Sequence, residues 1–144
     1  EEVDANPQDA DAWEDLALAQ ATDGNFAEAL ASGEKAAELD PGDFRRVETL
    51  VSLHTQSGNP DGAISALETY TQDNPDNPDA FLQLGNLAQR AGRDTLARLS
   101  FERFLVLAPD DRNADGVRQQ ISNIESGVAV PEIEVPEGGD NSGN

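Results

Sequence analysis

The chain has 144 residues, 37% of them hydrophobic, and a formal net charge of −20. That length suits one domain, no apolar run approaches the roughly 20 residues of a membrane span, and so strongly acidic a chain repels nucleic acid and anionic lipid. With no cysteine, disulfides, thiol catalysis and thiolate metal sites are excluded as well.

The chain opens "EEVDANP" without a Met, which suggests a piece of a longer protein or a processed product, with residues 1–9 as the end of a preceding element or a linker. "NPQDADAW" at 6–13 returns as "NPDNPDAF" at 74–81, and "DPGDFRRV" at 40–47 is a weaker copy between them. Pro7, Pro41, Pro75 and Pro109 stand 34 residues apart each time, the mark of a stacked repeat. Two residues after each proline sits a helix-capping type, Asp9, Asp43, Asn77 or Asp111. Gly24, Gly58 and Gly92 follow at a constant distance, each able to close a helix in the left-handed conformation. Asn25, with Glu28, and Asn59, with Pro60, then open a second helix.

The spacing predicts first helices near 10–22, 44–56 and 78–90, and second helices near 26–39, 60–73 and 94–107. Three units follow, 10–43, 44–77 and 78–111. Beyond Pro109, Ala114, Val117, Ile121 and Ile124 form one apolar stripe, which predicts a capping helix within 112–126. The Pro/Gly-rich, acidic stretch 127–144 reads as a disordered tail.

The unit resembles the tetratricopeptide repeat, W-x2-L-G-x2-Y…A-x3-F…P over about 34 residues. Trp13, Leu16, Ala17, Ala29 and Pro41 carry the resemblance in the first unit, where Gln20 and Gly33 depart from it. The second is looser, with Val47, Leu50, Val51, His54, Ala63, Leu67 and Pro75. The third is fullest, with Phe81, Leu84, Gly85, Ala88, Ala97, Phe101 and Pro109. The resemblance implies an all-α fold, a right-handed α-solenoid of three antiparallel helix hairpins with a C-terminal capping helix. Small residues at 17 and 85, and at 29, 63 and 97, let paired helices approach, whereas Val51 breaks that rule and predicts a more open second hairpin.

No catalytic, cofactor-binding or metal-binding constellation stands out. His54, the only histidine, occupies an aromatic place and reads as a packed histidine. "DNPDNPD" at 73–79 is ligand-rich, yet caps and turns explain it, and no calcium-loop or phosphate-loop spacing occurs. An enzyme is the disfavoured reading.

The resemblance also implies a concave groove lined by first helices and receiving a peptide. The places facing it would be Asp11, Glu14 and Leu18, then Arg45, Glu48 and Ser52, then Asn86, Gln89 and Arg90. Chaperone-binding members grip a peptide carboxylate with Lys, Asn and Arg at such places. Here Asp11, Glu14, Asp79 and Gln83 stand instead, which disfavours a cochaperone role. "EEVD" at 1–4 matches the tail peptide such members bind, but precedes the repeats and reads as coincidence. Residues 1–44 hold 13 acids and one base, which points to a protein or peptide partner with a basic segment over unit one. The functional expectation is a non-enzymatic protein-interaction module. The alternative is self-association of a larger protein, tethered at a membrane by segments outside this chain.

Overall fold

A computed structural model describes residues 6–127, together with residue 3. The expected tail beyond residue 127 lies outside the described residues, as does most of "EEVD". Among the described residues seven helices run in chain order: α1 Ala10–Thr22, α2 Phe26–Leu39, α3 Phe44–Gln56, α4 Pro60–Asp73, α5 Pro78–Arg90, α6 Asp94–Leu107 and α7 Ala114–Glu125. Among the described residues there is no strand. Each helix packs on the next, and α1 also lies beside α3, so the hairpins stack into an all-α solenoid.

Local chemistry sets these boundaries. Asp9 Oδ1 accepts from the Asp11 and Ala12 N–H groups at 3.0 and 3.2 Å. Asp43 and Asn77 cap α3 and α5 in the same way, through the Arg45 and Ala80 N–H groups. Each hairpin turn is built on a left-handed glycine, Gly24, Gly58 or Gly92, with φ of 81°, 72° and 70°. The next N–H reaches back five residues: Asn25 to Gln20 O, Asn59 to His54 O and Arg93 to Ala88 O, at 2.8–2.9 Å. That bond closes the helix and fixes the reversal. Between hairpins the N–H of Asp43, Asn77 and Asp111 returns to the carbonyl of Asp40, Asn74 and Ala108, around the periodic prolines.

Two expected caps differ. Asn25 makes no side-chain cap, whereas Asn59 Oδ1 accepts from the Gly62 N–H at 3.0 Å. The Asn59 amide is oriented by His54 Nδ1 at 3.3 Å. In unit one the equivalent residue, Gln20, turns instead to the Ser32 hydroxyl at 2.7 Å, leaving Asn25 without that support. Asp111 accepts from the Asn113 N–H at 2.7 Å, the same bond that Asp9 and Asp43 make, yet the last helix begins at Ala114 rather than 112.

The core follows the period. Ala17, Ala29, Ala63 and Ala97 are fully buried where the helices of each hairpin meet. Bulk is traded between places. Gly85 lies beneath the Phe101 ring, which a Cβ would overlap; Gly33 lies beneath the Leu50 and Leu53 methyls, which fill the room its missing side chain leaves. Val51 is half-buried against the central cluster of Val47, Ile64, Leu67 and Leu84. Ala114 and Val117 of α7 are buried, with Ile121 and Ile124 half-buried against the Phe101 and Phe104 cluster, so the last helix does cover the third hairpin.

Candidate functional site

The first helices α1, α3 and α5 form a row stitched by a repeated contact. Thr49 Oγ1 donates to Glu14 Oε1 at 2.6 Å, and one unit on, Gln83 Nε2 donates to Glu48 Oε1 at 2.8 Å. Two of the expected groove residues, Glu14 and Glu48, therefore hold the neighbouring helix.

Glu14 departs furthest from expectation. It is 5% exposed, and its Oε2 takes the Arg46 guanidinium at 2.7 Å, with Arg45 at 3.3 Å. A ligand passing over the row does not meet this carboxylate. Its partner Arg46, missed in sequence, is 4% exposed. The equivalent residues are Ala12 and Ala80, so a long cation occupies an alanine place. Arg46 also reaches Asp11 Oδ1 at 2.9 Å and the Ala10 carbonyl at 3.4 Å, while its Nε stays buried without a partner. The signal was a lone charge in an alanine column, one hairpin away from a matching acid.

Asp11 is exposed and shared, taking Arg45 as well as Arg46 at 2.9 Å. The hydrogen bonds from Arg46 and Arg45 hold its carboxyl below the usual range. Arg45, exposed, is raised chiefly by its hydrogen bond to Asp11 and by the Glu14 charge. For Arg46, burial pulls downward most strongly, but Asp11 and Glu14 together outweigh it and the guanidinium is held firmly charged. The two acids expected to face a basic ligand over unit one, Asp11 and Glu14, are thus paired from within.

The remaining expected residues are freer. Leu18 is 49% exposed. Ser52 is exposed and accepts from Gln56, at 3.0 Å. Asn86 and Gln89 are half-buried, and Gln89 Nε2 is buried without a hydrogen-bond partner. Arg90 is exposed and has no carboxylate partner among the described residues. His54 is half-buried against Gly62 and Asn59, with no hydroxyl bonded to its ring among the described residues. No helix among the described residues is long and apolar enough to cross a membrane.

A periodic stack of capped helix hairpins with small residues at every crossing defines a helical repeat protein. The sequence profile described as "Tetratricopeptide repeat" matches residues 1–44 and 49–112, and the chain belongs to that family. The human "PEX5-related protein" is 30% identical over 70 residues, which is 49% of this chain and 11% of that protein, so the chain spans about a tenth of its length. Among solved structures, MamA superposes with a TM-score of 0.65 at 22% identity, covering 87% of this chain and 71% of that one. The first tetratricopeptide domain of Spaghetti (RPAP3), solved with the HSP90 peptide SRMEEVD, gives a TM-score of 0.62 at 18% identity, covering 85% and 95%. These likenesses establish the shared fold.

Proposed function

We propose that the chain is a protein-interaction module, and that a peptide or partner segment lies along the first-helix row over α3 and α5. One observation carries this reading: Gln89 Nε2 is buried with no acceptor. A buried donor left unsatisfied costs about 1–3 kcal/mol, which a ligand carbonyl would recover once the Gln89 side chain turns outward to meet it. On the family pattern Ser52, Asn86 and Arg90 lie on the same side, offering a hydroxyl, an amide and a cation. Leu18 adds an exposed apolar contact. Membership in the repeat family supports the reading, as does the peptide carried by the RPAP3 domain of like fold. Glu14 is left out of the contact set because it is buried, and Asp11 and Arg45 because they hold one another.

The test is affinity capture from extract of the source cells, with the wild-type chain and with a Ser52→Arg/Asn86→Arg variant of matched helicity. Proteins retained by the first and lost by the second are expected. Identical sets from both baits would contradict the groove. Sedimentation over a concentration range tests the self-association alternative, which expects the chain to associate as concentration rises.

A further inference from the structure

The 34-residue period also shapes the other side of the stack, where successive second helices part. A cleft of about 520 Å³ opens between α2 and α4, over Val47, Leu50 and His54 of α3. A cleft of about 200 Å³ lies between α4 and α6, over Phe81 and Leu84 of α5. These are one place in two copies. Val47, Gly62 and Ser65 in the wide cleft stand where Phe81, Leu96 and Leu99 fill the narrow one. The size difference follows from those three exchanges. The His54 ring takes the space above Gly62, and no other side chain replaces what Phe81 and Leu99 supply. An apolar floor is left open, made of Val47, Leu50 and Tyr70, each otherwise part of the core.

The rim is of one sign. Glu34, Glu38 and Asp73 line it, all exposed, and no Lys or Arg does. Lys35 offsets Glu38 alone, at 3.2 Å. In the narrow cleft Gln72 stands at the place of Glu38. Asp11 and Glu14 are neutralised within the first-helix row, whereas Glu34 and Asp73 on this rim have no cation partner among the described residues. The chain's own residues 128–144 carry four acids and no base, and match the rim poorly.

We propose that the α2/α4 cleft docks a segment of a partner protein, which inserts one aromatic or large aliphatic side chain and sets a Lys or Arg against the rim. The cleft falls within the roughly 300–1,000 Å³ range of pockets that hold small ligands, ample for one such side chain. Opposite charge then orients the segment and speeds its encounter. This site is separate from the first-helix row and stands or falls independently of it.

The experiment selects random peptides of about a dozen residues, displayed on phage, against the whole chain, and titrates the winners by calorimetry. Titrations use wild type, Ser65→Leu, which restores the Leu99 side chain to the wide cleft, and Glu34→Lys/Asp73→Lys. Ser65 is exposed, and helicity by circular dichroism checks the fold. The expected winners pair a bulky apolar residue with Lys or Arg, and bind both variants at least about tenfold more weakly. They bind Ser52→Arg/Asn86→Arg as they bind wild type. The proposal is overturned if no such winners emerge, or if they bind Ser65→Leu as tightly as wild type. It is equally overturned if the first-helix variant alone abolishes binding, or if wild type is a dimer that Ser65→Leu makes monomeric. Should Ser65→Leu fail to fold, the charge-reversed variant decides: undiminished binding to it overturns the proposal.

Discussion

The two seams between first helices make the same contact with different chemistry. Between α3 and α5 the Gln83–Glu48 hydrogen bond lies at the surface, and beneath it Ala80 packs with Val47 and Leu84 in one apolar cluster. Between α1 and α3 the Thr49–Glu14 bond has Arg46 beneath it, ringed by Glu14, Asp11, Asp40 and Asp43. The period fixes where two helices touch but leaves open whether oil or charge fills the gap. A charged seam gains less than its closeness suggests, because desolvating both ions offsets most of their attraction. Its cost appears when one partner is removed.

The sharpest way to break the comparison is therefore Arg46→Ala. It leaves Glu14 buried without its principal partner, and a loss of about 3–5 kcal/mol is expected, read from the urea midpoint. A loss below about 1 kcal/mol would mean that the seam tolerates a lone carboxylate.

A second contrast sets Gly85 against Gly33. At Gly85 a Cβ overlaps the Phe101 ring, which is fully buried and cannot swing aside, so Gly85→Ala is expected to cost about 1–3 kcal/mol. At Gly33 the Cβ meets the Leu50 and Leu53 methyls at 3.1 and 3.2 Å. Those side chains can give, and the gain in helix propensity, about 1 kcal/mol, offsets the crowding. Thermal midpoints should fall clearly for the first variant and stay near wild type for the second.

The smallest effect is electrostatic. Asp11 is held below the ordinary carboxylate range, so the folded chain binds fewer protons there than the unfolded chain as acid is added. Its contribution is whole above that range and is lost as pH falls through its folded value. Asp11→Asn should flatten the acid limb of stability against pH. Because Asp11 is exposed, the effect should shrink further in high salt.

Much of the fold was legible because it is written in backbone terms. Proline, capping residue and left-handed glycine recur in phase, and the six hairpin helices fall where that spacing places them. Ala29, Ala63 and Ala97 could be assigned to the crossings because only small residues fit there. The last helix came out two residues late, although Asp111 makes the same bond as Asp9 and Asp43. The surface was harder to read. Family placement turns Glu14 outward, but its direction is decided by Arg46, a residue on another helix 32 positions away. The wide cleft was equally hidden. It arises from what Val47, Gly62 and Ser65 lack, and is visible only once each is set beside its counterpart 34 residues on.

That Glu14 of unit one is spent inside the molecule, joining its first two hairpins, is measured most directly by a double-mutant cycle on Glu14→Gln and Arg46→Met. Stabilities of wild type, both single variants and the double variant should give a coupling of at least about 1 kcal/mol, with the double variant more stable than Arg46→Met alone. Losses that simply add, within about 0.5 kcal/mol, would mean that Glu14 and Arg46 do not hold each other and that the charged seam does not exist in solution.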